Sequence, residues 1–144
     1  MQGEKKPFNF GLHQKYDNIA KEIILHFLNS GKGPAWKENE DRYGIDLLCE
    51  DGSVADVEVK TAWPNTDVFP FPTINVLERK KAMFVKGASL YILNICMNRA
   101  LVITPEDIKY RRLVEVPNKY KPSGELFYQI PTDGLTMHRL ETLW

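Results

Sequence analysis

Several features are absent from this sequence, and each absence removes a class of protein. Its longest apolar runs, Ile23-Ile24-Leu25 and the interrupted run Leu90–Ile95, fall well short of the ~20 residues that span a membrane. The first residues, Met1 to Lys6, lack the apolar stretch of a signal peptide. The sequence lacks a glycine-rich phosphate loop, which would have supported an α/β enzyme for a small phosphorylated substrate. We therefore expect a soluble, cytoplasmic protein that has no membrane partner.

Cysteine is scarce, with only Cys49 and Cys96 in the chain. Neither belongs to a Cys-x-x-Cys pair, and the histidines have no spacing typical of a zinc site. Cys49 lies in a predicted strand, and Cys96 lies at the end of another. We expect two buried free thiols, with a single disulfide as the alternative.

An excess of charge is also absent, because 19 basic residues balance 19 acidic ones. This balance argues against bulk electrostatic binding to nucleic acid but is compatible with a local basic patch. Apolar residues make up 43% of the 144 positions, which is enough for one domain with a packed core.

The hydrophobic pattern predicts an α/β fold in which a central mixed β-sheet is flanked by helices. Residues 1–10 are expected to form a flexible arm, and residues 104–144 a C-terminal elaboration of the single domain. The predicted helices cover Leu12–Asn29 and Thr73–Lys86. The predicted strands cover Ala35–Lys37, Arg42–Cys49, Ser53–Ala62, Leu90–Ile95, Ala100–Ile103 and Leu126–Ile130.

Charged residues interrupt the apolar pattern of the predicted hairpin between Arg42 and Ala62. Glu58 and Lys60 are two positions apart in a strand, so their side chains point to the same face. Val57 and Val59 alternate with them and are expected to face the core. Asp46, on the partner strand, shares the charged face only if the turn has an odd length.

The length of the hairpin turn therefore decides whether the charges form one site. A two-residue turn at Asp51-Gly52 would place Asp46 opposite Val57, on the wrong face. A three-residue loop Asp51-Gly52-Ser53, or a bulge, would place Asp46 opposite Glu58.

Two neighbouring carboxylates are costly unless a cation lies between them. Mg²⁺ suits such a pair, because it takes oxygen ligands and keeps several waters. Lys60 would then orient or deprotonate an attacking water, or stabilise charge that develops at phosphorus. The alternative is a solvated hairpin face on which Asp46 and Lys60 form a cross-strand ion pair.

Gly44-Ile45-Asp46-Leu47-Leu48, followed by Val57-Glu58-Val59-Lys60-Thr61, resembles the catalytic core of the PD-(D/E)xK nuclease superfamily. The resemblance covers about Leu12 to Ile103. It implies a restriction-endonuclease-like fold with the element order α-β-β-β-α-β-β, followed by a C-terminal extension. It also implies that Asp46, Glu58 and the carbonyl of Val59 bind Mg²⁺, with Mn²⁺ as a substitute, and that Lys60 is the catalytic lysine.

Many members of the superfamily add an acid from the first helix. Asp17-Asn18-Ile19-Ala20 has the usual acid-x-x-Ala spacing, so Asp17 is the candidate and Glu22 is the alternative. One departure is Ile45, which stands where the motif often has proline. A second departure is the identity of the helix acid, which is more commonly glutamate.

The resemblance also implies a basic surface near the site. Arg79 and Lys80 are expected to contact phosphates of the nucleic acid, with a solvated helix face as the alternative. The segment Phe69-Pro70-Phe71-Pro72 is expected to pack its rings as core, with stacking on substrate bases as the alternative.

The function that the resemblance implies is Mg²⁺-dependent hydrolysis of DNA phosphodiester bonds in repair, recombination or restriction. The small domain leaves little room for a recognition module, so a homodimer or a partner protein would supply specificity. One alternative is a non-catalytic nucleic-acid-binding or assembly module that retains the fold. The other is an unrelated enzyme for a small phosphorylated substrate.

Overall fold

The computed structural model describes residues 10–41, 44–109, 111–117, 122 and 124–140. Within these residues the chain forms a mixed α/β domain with two β-sheets and short helices. The expected arm over residues 1–10 lies outside the described residues, except for Phe10, at which the first helix begins.

The elements follow one another along the chain with short connections. The helices are α1 (Phe10–Asn29), a 3₁₀ turn (Glu78–Lys80), α2 (Lys81–Val85) and α3 (Pro105–Ile108). The strands are β1 (Trp36–Glu38), β2 (Leu47–Cys49), β3 (Val54–Lys60), β4 (Thr73–Leu77), β5 (Ser89–Asn94), β6 (Arg99–Ile103), β7 (Arg112–Val116), β8 (Glu125–Pro131) and β9 (Thr136–Arg139).

The main sheet is mixed and has the strand order β1-β2-β3-β5-β6-β9. Strands β3 and β5 run parallel, while the other neighbours pair in antiparallel fashion. The second sheet has the order β4-β8-β7 and is antiparallel throughout. Residues after Thr104 thus contribute a strand to the main sheet and two strands to the second sheet.

Helix α1 covers one face of the main sheet. Its residues Ala20, Ile23 and Ile24 recur at helical spacing and are buried against Ala55 and Val57 of β3. The apolar stripe of α1 and the alternation of apolar and polar residues along β3 therefore determine which face of β3 is buried. The intervening positions of β3 are left for polar side chains.

A second core lies between the two sheets. Leu90 and Ile92 of β5 pack there with Ile74 of β4, Ile130 of β8 and the fully buried Trp63. This core packs β4 against β5, the strand that pairs with β3 in the main sheet. In the described part of the chain, no helix is both long enough and apolar enough to cross a membrane.

The second predicted helix, Thr73–Lys86, is wrong over most of its length. Thr73–Leu77 is strand β4, a 3₁₀ turn follows, and the helical part covers only Lys81–Val85. The sequence Thr-Ile-Asn-Val-Leu alternates, so that Ile74 and Val76 are buried while Asn75 is exposed. Pairing with β8 therefore prevails over the helical propensity of the charged residues that follow.

The hairpin between β2 and β3 has a three-residue loop, as a shared charged face requires. The loop is Glu50-Asp51-Gly52, not the predicted Asp51-Gly52-Ser53, because the Cys49 N–H donates to the Ser53 carbonyl at 2.9 Å. Gly52 occupies the left-handed region with φ of 93° at the last loop position, where glycine is favoured. The Asp51 carboxylate accepts from the Ser53 N–H at 2.8 Å and stabilises this turn.

The two cysteines are free thiols, as expected, but they are not both buried. Cys49 is partly buried in β2. Cys96 is exposed in the turn between β5 and β6, one residue beyond the predicted strand. Turn residues face water, which is why the expected burial of Cys96 is wrong.

Candidate active site

A polar cleft of about 480 Å³ opens where β2 and β3 diverge. It receives side chains from α1, the segment before β2, β3 and the 3₁₀ turn. Its lining comprises Asp17, Lys21, Gly44, Asp46, Asp56, Val57, Glu58, Val59, Lys60 and Lys80. The cleft thus contains the preferred candidates for catalysis or metal binding, together with Lys80 of the expected phosphate contacts.

The register of the hairpin determines how Asp46 joins β3. Leu47 pairs with Ala55 and Leu48 with Val54, so the same register places Asp46 opposite Asp56. The predicted partner, Glu58, is two residues further along β3 on the same face. This shift follows from the loop, which begins one residue earlier than predicted.

The Asp46 carboxylate is held by the backbone of β3. Its Oδ2 accepts a hydrogen bond from the Val57 N–H at 2.8 Å, and its own N–H donates to Asp56 Oδ1 at 3.3 Å. Since the Val57 N–H bonds to a side chain here and not to β2, the two strands separate at this point. The separation opens the cleft.

Asp46 and Asp56 form a pair of interacting carboxyl groups. Burial, and then the hydrogen bond and charge of Asp56, raise the pKa of Asp46 from 3.8 to about 7. Burial also acts to raise the pKa of Asp56, but the hydrogen bond with Asp46 and the Lys80 ammonium outweigh it, so the pKa is lowered. Without a further cation, the carboxyl pair therefore takes up a proton as the pH falls through neutrality.

Two lysines place their ammonium groups against these acids. Lys80 Nζ lies 2.7 Å from Glu58 Oε1 and 3.0 Å from Asp56 Oδ2. Lys21 Nζ, from α1, lies 3.3 Å from Asp46 Oδ1. Burial lowers the pKa of Lys80, but the charges of Glu58 and Asp56 outweigh this effect and raise it, so Lys80 stays protonated.

Lys60 ends β3 and lines the cleft on the same strand face as Glu58. Among the described residues it forms no ion pair, in contrast to Lys80. Val59 also lines the cleft, while its side chain packs against the α1 core. The face assignment from strand alternation is thus confirmed for Glu58 and Lys60.

The first helix contributes Asp17 to the cleft, and Glu22 is exposed and does not line it. Asp17 and Lys21 are four residues apart, so they lie on the same side of α1. Of the two acids of α1 that the sequence offered, Asp17 therefore lines the cleft and Glu22 does not.

The expected phosphate contacts are in different environments. Lys80 points into the cleft, whereas Arg79 is exposed and lies outside it. In the nearby loop, Phe69 is buried and packs edge-on against Trp63, with 5.3 Å between ring centroids. Phe71 is 49% exposed, so the expectation of core packing holds for Phe69 only.

The sequence arguments did not identify Asp56 and Lys21 as members of the cleft. Asp56 could have been found from strand alternation, because Asp56, Glu58 and Lys60 occupy every second position of β3. Lys21 follows Asp17 by one helical turn. Its contact with Asp46 joins residues 25 positions apart, and no local pattern encodes that distance.

The chemistry of the donor groups suits a hard cation. Mg²⁺ is commonly held by one or two carboxylates and several waters, and Asp46 with Glu58 and the Val59 carbonyl would provide such a set. Across the described ranges, no group of three or more His, Cys, Asp or Glu side chains is arranged to hold a metal ion. A metal here would thus rely on two carboxylates, and it would compete with the lysine ammonium groups.

Comparison of the chain with protein-family models and with curated proteins found no match. Interpretation of the cleft therefore depends on its own geometry and charges.

Proposed function

We propose that this protein is a Mg²⁺-dependent nuclease of the PD-(D/E)xK superfamily that hydrolyses phosphodiester bonds of DNA. The observation that carries the proposal is the single cleft that is lined by Asp17, Asp46, Glu58 and Lys60. These residues lie on three separate segments of the sequence. Their meeting at one place is what a shared catalytic role requires.

The fold supports the proposal at the level of element order around the site. Helix α1 packs on a mixed sheet in which β2 and β3 form a hairpin and β3 pairs in parallel with β5. This is the arrangement that the resemblance implies for the first helix and the strands that carry the motif. Strand β4 and the shortened second helix are departures from it.

The residues of the cleft can take different roles in hydrolysis. When bound at Asp46 and Glu58, Mg²⁺ would supply charge stabilisation at the phosphate. Water attacks phosphorus and the P–O bond to the leaving oxygen breaks, so one proton must be removed and another supplied. Lys60 lines the cleft and would orient the attacking water or stabilise negative charge on the phosphate oxygens, and both protons would be exchanged with solvent.

The distribution of charge supports a nucleic-acid substrate, although the whole chain is neutral. The segment from residue 79 to residue 86, which begins beside the cleft, contains Arg79, Lys80, Lys81 and Lys86 and no acid. Arg79, Lys81 and Lys86 are exposed, and exposed cations beside the cleft favour contacts with a phosphate backbone.

The proposal is tested by incubating the protein with plasmid, linear duplex, single-stranded and branched DNA in Mg²⁺, Mn²⁺ or EDTA. We expect cleavage only with metal, and a loss on the order of 10²-fold or more for Asp46→Ala and for Lys60→Ala. Glu22→Gln is the matched control, because Glu22 is an exposed acid on the same helix as Asp17 and should retain activity. Metal-dependent cleavage that survives both substitutions would contradict the assignment of the site.

A second candidate is a non-catalytic nucleic-acid-binding or assembly module that retains the nuclease fold. The ion pairs of Lys21 and Lys80 favour it, since they already neutralise acids that a nuclease would use for metal. This alternative predicts DNA binding that is unaffected by EDTA and by Asp46→Ala, with no cleavage of any substrate. Fluorescence anisotropy with labelled duplexes measures the binding.

A further inference from the structure

Lys80 occupies an unusual position for a basic residue expected on the surface. It ends the 3₁₀ turn that joins β4 to α2, and the buried residues Val76 of β4 and Phe84 of α2 anchor the two sides of this turn in the second core. Its ammonium contacts Glu58 at 2.7 Å and Asp56 at 3.0 Å, and only 20% of the side chain is exposed. Two short contacts with partly buried acids distinguish this ammonium from that of a solvent-exposed ion pair.

The preceding residue provides a comparison within the same turn. Arg79 has the same charge and the same local backbone, but it is exposed and does not line the cleft. The turn therefore directs one cation into the carboxylate cluster and the other into solvent. Removing the charge of Lys80 or that of Arg79 changes the net charge of the protein equally. Comparing the two variants therefore distinguishes an effect inside the cleft from an effect of net charge.

A lysine ammonium and a divalent cation compete for Glu58, because their repulsion at contact distance is strong in a partly buried site. We propose that Lys80 is an internal cation that holds Glu58 and Asp56 in the metal-free protein and has to leave Glu58 when a divalent metal binds. This inference rests on the proposed function, since it assumes that Glu58 is a metal ligand. It makes Lys80 a positioning residue that sets the metal affinity of the cleft.

Two consequences follow from this exchange. The metal-free cleft keeps its acids together without a bound metal, because Lys80 offsets their mutual repulsion. Once displaced, the ammonium stays within the length of its side chain from the cleft, where it can contact a phosphate. The expected phosphate contact of Lys80 and its observed ion pairs would then belong to two states of the same residue.

The test is a direct titration of Mn²⁺ into the metal-free protein, followed by calorimetry or by electron paramagnetic resonance. We expect Lys80→Met to bind Mn²⁺ roughly tenfold more tightly than wild type, because a competing charge has been removed. Arg79→Met should match wild type. Equal affinity of wild type and Lys80→Met, or weaker binding by Lys80→Met, would overturn the inference.

The same titration distinguishes failure of this inference from failure of the proposed function. If wild type and Lys80→Met bind Mn²⁺ equally well, the metal site stands and only the role of Lys80 is wrong. If neither binds Mn²⁺, both proposals fail.

A second measurement uses the wild-type protein and does not depend on how a variant folds. Lys80 is labelled with an amine-reactive acetylating reagent, and the extent of modification is read by mass spectrometry. Saturating Mn²⁺ should increase the labelling rate of Lys80 and leave that of the exposed Lys81 unchanged. No increase at Lys80 with bound metal would refute the displacement.

Discussion

Replacing Asp46 by asparagine should remove a pH dependence of stability that the cleft imposes on the metal-free protein. The asparagine side chain would keep the shape of a protonated Asp46, including an oxygen that accepts from the Val57 N–H. An amide cannot ionise beside Asp56. The variant therefore isolates the cost of ionising Asp46 in the folded state.

The sign follows from the two pKa values of Asp46. Folding raises the pKa of Asp46 from 3.8 to about 7, so between about pH 4 and pH 7 the folded state binds more protons than the unfolded state. Stability contributed by this group is present below pH 4 and decreases as the pH rises towards 7. The lowered pKa of Asp56 acts below about pH 4, outside this interval.

The magnitude follows from the size of the shift. About three pH units at about 1.4 kcal/mol each give a loss of up to about 4 kcal/mol between pH 4 and pH 7. Asp46 is 16% exposed, so bulk water screens it only in part. Relative to wild type, Asp46→Asn should be similarly stable at pH 4 and more stable at pH 8 by up to about 4 kcal/mol.

The assay is urea denaturation of both proteins at pH values from 4 to 8, in EDTA so that bound metal does not stabilise the carboxylate. Comparing the two proteins at each pH removes the contribution of every ionisable group that both proteins contain. Glu22→Gln, an exposed acid-to-amide change on α1, should show no such trend. A difference between wild type and Asp46→Asn that does not grow between pH 4 and pH 7 would contradict the raised pKa of Asp46.

Two further predictions concern the elements that support the site. Gly52→Ala should destabilise the protein by about 1 kcal/mol, because φ at Gly52 is 93° and a Cβ is strained there. Gly33→Ala is the control, since a Cβ at Gly33 would meet no atom within 4 Å, and thermal unfolding of both variants checks the difference. Asn94→Ala should lower the free energy of unfolding by about 2–4 kcal/mol. The side-chain Oδ1 of the buried Asn94 accepts from the backbone N–H groups of Asn98 and Arg99 at 3.0 Å, and both donors would lose a partner. Urea denaturation measures this loss, and a cost below about 1 kcal/mol would show that water replaces the lost hydrogen bonds.

The accuracy of the sequence predictions followed the range of the interactions involved. Helix α1 and strand β3 were predicted within a few residues, because apolar spacing marks which side of each element is buried. The segment Thr73–Leu77 was misassigned, since its strand character depends on β8, more than 50 residues later in the chain. The charged residues after Leu77 have helical propensity, and this tertiary pairing overrode it.

Local sequence was sufficient to establish which face of β3 carries charge. Alternation in a strand is a local property, and it placed Glu58 and Lys60 on one side and Val57 on the other. The sequence left open the length of the loop before β3, because a turn that contains Asp51-Gly52 is compatible with two residues as well as three, and this length decides whether Asp46 reaches that side.

The groups that surround these side chains were established by tertiary packing. The pairing of Asp46 with Asp56 depends on which residues form the loop between β2 and β3. The ion pairs of Lys21 with Asp46 and of Lys80 with Asp56 depend on how α1 and the 3₁₀ turn pack on the sheet. Contacts of this kind join distant parts of the chain, and so the charge state of the cleft emerges only when the cores have formed.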